Sequence, residues 1–258
     1  MAGRDDRALL AEQFGAALVV VKKNAMLYYL RPPVLIFGVL FPVFFFLAFA
    51  QGRGRMGLTP AEIVPGMLAM ALWFTASAVG PLVTPWERRA RTYERLLCCP
   101  VSLGALVGGD ILSGLFFGAG FSLVPLVLGR VLTDARLVHW PLVAVGITLG
   151  AAAFSALGVL LAAPPVSSPS QIMMLSNLVR LPLLFISGVF APLESMPAWA
   201  RGLAPVSPLS YAVDLLRRGY GQEGYFPVCL DVAALAGFAA LLWLGALWFH
   251  RRTRARGL

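Results

Sequence analysis

The chain carries repeated runs of about 20 apolar residues, the length a helix needs to cross a hydrocarbon core of about 30 Å. Few folds can absorb such runs. They lie at about 33–50, 63–83, 106–128, 138–162, 172–191 and 228–249. Only 13% of the 258 residues are charged and 59% are hydrophobic, whereas a soluble domain carries about a quarter charged residues. One soluble core cannot bury that much apolar surface. The runs are continuous rather than alternating, which argues against a transmembrane β-barrel. The sequence therefore predicts an all-α, polytopic integral membrane protein with six transmembrane helices, forming a single transmembrane domain over 1–258.

The polar stretches set the topology. Residues 1–32 read as a cytoplasmic, interfacial segment. Within it, 8–30 has apolar positions at helical spacing, with Lys22, Lys23 and Arg31 towards the end. That pattern fits an amphipathic helix on the membrane surface; the other reading is an ordinary solvated helix. No apolar core bounded by a small-residue cleavage site is evident there, so no cleavable signal peptide is expected. Six spans over 33–249 put both termini on one side, together with the loop after the second span and the basic tail 250–258. Of the 21 Lys and Arg, 13 fall on that side, 7 on the other and one, Arg180, inside a span. The positive-inside rule then places both termini in the cytoplasm. The net charge of +9 lies between apolar runs, so its expected contacts are anionic membrane lipids and not nucleic acid.

Several chemistries are absent from the sequence. There is no G-x-x-x-x-G-K-[ST] phosphate loop, so ATP hydrolysis by this chain is not expected. No H-E-x-x-H occurs. His139 and His250 sit at span ends and read as interfacial residues. Cys98, Cys99 and Cys229 give neither a disulfide framework nor a metal spacing. No catalytic residue, metal site or cofactor bound by this chain is expected.

The loop after the second span is the most informative segment. Six of the nine residues Glu87–Arg95 are charged. Such a helix between two spans offers a docking surface to a cytoplasmic partner; a solvated loop that only satisfies the charge rule is the other reading. The segment Glu87-Arg88, Thr92, Glu94, Leu96-Leu97 and Pro100-Val101-Ser102 resembles the E-R-x-x-G-T-x-E-x-L-x-x-x-P-[VL]-S stretch of type-2 ABC transporter permeases. The run Arg180–Pro192 is similar to that family's fifth span. Pro192-Leu193-Glu194-Ser195-Met196-Pro197 and Pro205–Asp214 continue the likeness. Order, spacing and span count agree across roughly residues 15–250. Arg91 departs from the pattern, standing where the family usually has Gly at the turn that starts this helix.

The resemblance implies the transmembrane subunit of an ABC exporter in the prokaryotic inner membrane. Two copies, as a homodimer or a two-gene heterodimer, would pair with two copies of a separate ABC ATPase subunit, which would hold the ATP and Mg. Glu87, Arg88, Arg89, Thr92, Glu94 and Arg95 would form the coupling helix that docks in the ATPase. A small amphiphilic, lipid-like or glycan-linked substrate would then move outward. The alternative is a membrane-embedded secondary transporter or enzyme without an ATPase, which calls for paired intramembrane carboxylates or a nucleophile set. The candidates singled out for such a role are Asp110, near a span end, and Arg180.

Arg180 lies nine residues after Gln171, about 13 Å along a helix. Arginine at a bilayer centre costs about 2.5–3.5 kcal/mol on insertion scales, so Arg180 is expected to face protein or water. With Ser187 it is a candidate for the translocation path, or a structural intramembrane charge. Residues 192–226 are too apolar for a free loop. With Trp199, Tyr211 and Asp214 among them, they predict short membrane-dipping outer helices between spans five and six; the other reading is an extracellular cap packed on the spans, and in either case Leu215-Leu216-Arg217-Arg218 would snorkel to headgroups. Gly114-x-x-x-Gly118 and Gly146-x-x-x-Gly150 predict close helix approach, within one subunit more than at a dimer seam.

Overall fold

The structure, a computed structural model, describes residues 6–29, 60–90, 101–133, 135–164 and 168–255, with residues 40, 43, 44, 47 and 48 besides. Every regular element among the described residues is helical. The elements are α1 (Asp6–Asn24) with a π-helical turn (Ala25–Tyr29), α2 (Pro60–Ala76), α3 (Val79–Arg89), α4 (Leu103–Leu132) and α5 (Trp140–Ala162). They continue with α6 (Pro169–Phe185), a short 3-10 turn, α7 (Ala198–Leu203), a second 3-10 turn, α8 (Pro208–Gly219) and α9 (Val228–Ala255).

Among the described residues, four helices are long and apolar enough to cross a membrane: Ile63–Arg88, Leu103–Leu132, Trp140–Ala162 and Val228–Arg252. The 17 residues of α6 span about 26 Å at 1.5 Å per residue. The first expected span, 33–50, lies largely outside the described residues; 40, 43, 44, 47 and 48 are helical.

The core lies where α2, α5 and α8 meet. Leu68, Leu72, Trp73, Phe154, Leu209, Leu215 and Leu216 are buried there. Trp73 meets Phe154 edge to face, with ring centroids 4.8 Å apart. By contrast, α9 presents Leu241, Leu244 and Trp248 outward. With so apolar a chain, burial inside the bundle and exposure on its outside follow from packing against neighbours, not from polarity.

The second span is bent, not straight. Helix α2 stops at Ala76, Ser77 and Ala78 form a turn, and α3 continues. Pro81 is the cause: it has no N–H to give to the Ser77 carbonyl. Ser77 Oγ donates back to the Trp73 carbonyl instead. The freed Ser77 carbonyl lies against Gly158 of α5, and a Cβ on Gly80 would overlap the Gly158 carbonyl. Two glycines thus let the α3 and α5 backbones touch at the bend. The glycine pairs noted in sequence act the same way within the chain. Gly114 and Gly118 of α4 meet Ala76 and Ser155, and Gly146 and Gly150 of α5 meet Leu215, Leu216, Leu72 and Ala212.

Several boundaries differ from the sequence reading. The expected loop start at Glu87 is the last turn of α3, because Glu and Arg are good helix formers and do not break a helix. Helix α4 begins at Leu103, where Ser102 Oγ accepts from Ala105 N at 3.1 Å. Asp110 fits inside it, because Asn24 meets its carboxylate. Helix α6 ends at Phe185, earlier than the expected 191. Gly188 then turns the chain with φ +77°, and Ser187 sits past the helix end with its Oγ donating to the Leu184 carbonyl at 2.7 Å. Helix α9 runs through Phe249 to Ala255, into the basic tail.

Candidate functional site at the end of the second span

The last turn of α3 is gripped from two sides. Lys23, near the end of α1, pairs with Glu87. The Glu87 side chain is 5% exposed and that of Lys23 21%, so the pair is partly desolvated. One residue on, Asn24 Nδ2 donates to Asp110 Oδ1 at 2.7 Å and to Ser113 Oγ at 3.0 Å, both on α4. Ser113 Oγ in turn donates a hydrogen bond to the Gly109 carbonyl at 2.7 Å. Nearer the start of α1, Gln13 Oε1 accepts from the Ser102 backbone N–H at 3.0 Å. Helix α1 is thereby fixed both to the end of α3 and to the start of α4, the two elements that flank the charged loop.

On the other side, Arg88 Nη1 donates to the Pro164 carbonyl at 2.8 Å and Nη2 to the Ala163 carbonyl at 3.2 Å. These carbonyls lie just past the C-terminus of α5. A guanidinium there satisfies orphan acceptors and meets the negative end of the helix dipole. Buried His250 of α9 lies in the same layer, beside Arg88 and the Val159 backbone. Ala17, Val20 and Asn24 form the buried face of α1, while Phe14, Leu18 and Val19 point outward. Thr92, Glu94 and Arg95 lie outside the described residues, as does the side chain of Arg89.

Among the described residues this arrangement brings together no set of catalytic groups. It offers a rigid polar joint instead: a push on the end of α3 reaches α1, α4 and α5 through named bonds. Comparison with known proteins gives the joint its context. Residues 16–220 match the ABC-2 type transporter family. The chain belongs to that family. It is the transmembrane subunit of an ABC transporter. The permease is 26% identical over 234 residues to the inner membrane transport permease YadH of Escherichia coli K12, covering 89% of each chain. It is 28% identical over 208 residues to nodulation protein J of Rhizobium leguminosarum bv. trifolii, covering 77% of each. It is 29% identical over 173 residues to the daunorubicin resistance ABC transporter permease protein DrrB1 of Streptomyces coeruleorubidus, covering 67% of this chain and 52% of that one.

The other sequence-predicted residues of the permease fall into two groups. On α8, Tyr211 and Asp214 come together with the segment that follows. Tyr211 Oη donates to the Pro205 carbonyl at 3.0 Å, and its ring lies 4.9 Å from that of Phe226. Asp214 accepts from the backbone N–H groups of Tyr225 at 2.7 Å and Phe226 at 2.9 Å. Trp199 is not part of this cluster and is 66% exposed. The expected snorkelling of 215–218 is not what the structure has. Leu215 and Leu216 are fully buried, Arg217 is buried with Nη2 donating to the Gly188 carbonyl at 2.6 Å, and Arg218 bonds to the Phe226 carbonyl. The apolar pair turns inward because α8 packs on α5, and Arg217 follows a bare carbonyl at the Gly188 turn.

Arg180 is buried on α6 and donates to Ser77 Oγ at 3.2 Å, at the bend of the second span. It lies apart from Ser187, which caps the far end of α6. Sequence reasoning missed Lys23, Asn24 and Ser113 as site residues and noted Asp110 only as a charge near a span end. The available signal was polarity out of place: Asn24, Asp110 and Ser113 interrupt apolar stretches that otherwise need no hydrogen bonds.

Proposed function

We propose that this chain is the non-catalytic permease half of an ATP-driven exporter in a prokaryotic inner membrane, with both termini in the cytoplasm. Two copies pair with two copies of a separate ABC ATPase subunit, which binds ATP and Mg. The observation that carries the reading is the joint at the end of α3. The charged segment that begins at Glu87 leaves a helix end tied to α1, α4 and α5, so motion of a docked ATPase would move three helices as one body. Glu87–Arg95 acts as the coupling helix in this reading.

The cargo is a small amphiphilic, lipid-like or glycan-linked molecule that leaves outward. The relative named for daunorubicin resistance supports an amphiphilic cargo and outward transport. The segment from Leu193 to Gly219 supports lateral access from the bilayer. Ala212 of α8 meets Gly150, ten residues along α5 from Trp140, or about 15 Å at 1.5 Å per residue. That is half of a hydrocarbon core of about 30 Å, so α7 and α8 form an outer hairpin reaching the membrane midplane. Arg180 acts as a structural charge, because its guanidinium is enclosed within one chain.

Co-purification with an ATPase subunit tests the reading. Glu87→Ala with Glu94→Ala should abolish transport-coupled ATP turnover while the permease stays folded. Lys23→Ala keeps the Glu87 carboxylate, which separates lost docking from a lost internal ion pair. A chain that transports in liposomes on an ion gradient alone, without ATP, overturns the proposal. Full export by both Arg180→Ala and Arg180→Lys agrees with the structural role of that charge; loss in Arg180→Ala rescued by lysine assigns it to the cargo path.

A further inference from the structure

Two helical stretches, the second span and α6, each hold a turn that a proline has loosened. At the bend of the second span, Pro81 leaves the Ser77 carbonyl without its helical donor. Ser77 and Ala78 belong to both halves of that span: Ser77 N donates back to the Trp73 carbonyl at 3.2 Å, and the Ala78 carbonyl accepts from Leu82 N at 2.9 Å. In α6, Pro182 lies inside the helix and has no N–H to give to the Leu178 carbonyl. Arg180 sits in that turn, and its Nη1 donates to Ser77 Oγ at 3.2 Å. Ser77 is fully buried and Arg180 is 4% exposed. A hydrogen bond thus joins the two loosened turns.

Beyond Arg180, α6 is tied to the segment before α9. Ile186 N donates to the Pro182 carbonyl at 3.2 Å and Ser187 N to the Leu184 carbonyl at 3.4 Å, so the chain stays fixed to the helix up to the Gly188 turn. The Gly188 carbonyl accepts from Arg217 Nη2 of α8 at 2.6 Å, and Ser207 Oγ donates to the Leu183 carbonyl at 3.2 Å. Helix α5 also runs between the joint and α8, but there Gly146 and Gly150 meet Leu215, Leu216 and Ala212 through apolar contacts alone. Packed helices slide past one another in shear motions, whereas a hydrogen bond holds one distance and direction. The hydrogen-bonded route from the bend to α8 therefore runs through α6.

We propose that Arg180 and Arg217 are positioning residues that make the end of α6 a connecting rod: a swing of α3 about Ser77 passes to α6 through Arg180, and on to the α7–α8 segment through Arg217 and Ser207. The proposal rests on the reading of Glu87–Arg95 as the place where an ATPase docks, and adds how its movement crosses the chain. Arg180 then has a task inside its own chain that needs no contact with cargo. The rod acts when α3 moves. At rest, losses of stability at Glu87 and Asp214 still add, as for distant sites without shared partners.

The permease is reconstituted with its ATPase in proteoliposomes, with Cys98, Cys99 and Cys229 replaced by serine and Arg201→Cys as a reporter at an exposed position of α7. The reporter's labelling rate with a membrane-impermeant maleimide is measured without nucleotide and after trapping with Mg-ATP and vanadate. Trapping should change the rate in this parent. Ser77→Ala removes the acceptor of Arg180 and should cut that change about tenfold, the worth of one hydrogen bond to a charged group, while vanadate trapping and the nucleotide-free rate stay as in the parent. Arg217→Met keeps the length of the side chain without its donors and should do the same from the other end; it decides where Ser77→Ala does not fold. An undiminished change in either variant overturns the proposal, as does a parent whose reporter does not respond to trapping. Full export by Arg180→Ala overturns it too, and leaves the arginine a structural charge only. A parent complex that traps no nucleotide fells the exporter reading and the rod with it, so the two failures are told apart.

Discussion

The joint at the end of α3 and the segment before α9 are both built on hydrogen bonds, yet they are wired differently. At the joint the partners are distant in sequence: Lys23 with Glu87 is 64 residues apart and Asn24 with Asp110 is 86. In the segment before α9 near bonds are mixed with distant ones: Ser210 and Tyr211 each bond a carbonyl 6 residues back and Asp214 bonds N–H groups 11 and 12 residues on, while Arg217 reaches the Gly188 carbonyl 29 residues back and the Gly219 carbonyl accepts from the N–H groups of Val138 and His139. The first pattern welds separate helices into one body. The second ties a segment to itself and to its surroundings through backbone groups, and apolar contacts with α5 complete its packing. The first region joins helices side chain to side chain, whereas the second joins side chains to backbone.

The largest effect should come from breaking the weld. Lys23→Ala leaves the Glu87 carboxylate buried without its lysine, a change that costs about 3–5 kcal/mol when one partner of a buried pair is removed. Glu87→Gln leaves the lysine, which is 21% exposed and can turn to water, so the loss should be about 1–3 kcal/mol. Denaturant unfolding of both variants in one detergent reads the difference. Equal losses would mean that the pair is solvated and that the joint is not held by charge.

The outer segment should respond less and more locally. Asp214→Ala removes the acceptor of two backbone N–H groups and should cost about 2–4 kcal/mol, while Asp214→Asn keeps one acceptor and should cost about 1 kcal/mol. Proteolytic nicking at 220–227 should rise in the alanine variant ahead of any change at the joint. Nicking at both ends together would erase the contrast between the two regions. Smaller still, Tyr211→Phe keeps the ring contact with Phe226 and gives up the bond to Pro205, worth about 0.5–1.5 kcal/mol. Trp199→Ala, on an exposed position, should stay within about 0.5 kcal/mol.

The two regions also differ in how much of them the sequence reveals. Apolar run length finds the four long apolar helices of the described residues, because a lipid-crossing helix has little choice of length. The burial of Arg180 follows from the cost of exposing it to lipid. The dense, Pro-broken 192–226 announces a packed segment. What escapes is long-range pairing: nothing local in Lys23 or Asn24 names Glu87 or Asp110 as partner. Helix ends escape as well, because Glu87–Arg89 is charged enough to read as a loop and helical enough to extend a span. Arg217 turns inward for a carbonyl freed by the Gly188 turn 29 residues earlier, a demand visible only once the turn exists.

The smallest expected effect is the sharpest test of the comparison. Arg88 meets α5 at Ala163 and Pro164, and α8 meets it around Gly146. Those contacts are 17 residues apart along the chain, or about 25 Å of helix. Substitutions more than about 7–10 Å apart without shared partners add within about 0.3–0.5 kcal/mol. The double variant Glu87→Gln with Asp214→Asn should therefore lose the sum of the two single losses, with no interaction energy beyond that margin. Unfolding of the two single variants and the double variant against wild type gives the value directly. A coupling above about 1 kcal/mol would mean that α5 already transmits strain between the two regions at rest, and the outer segment would then have to be counted as part of the weld.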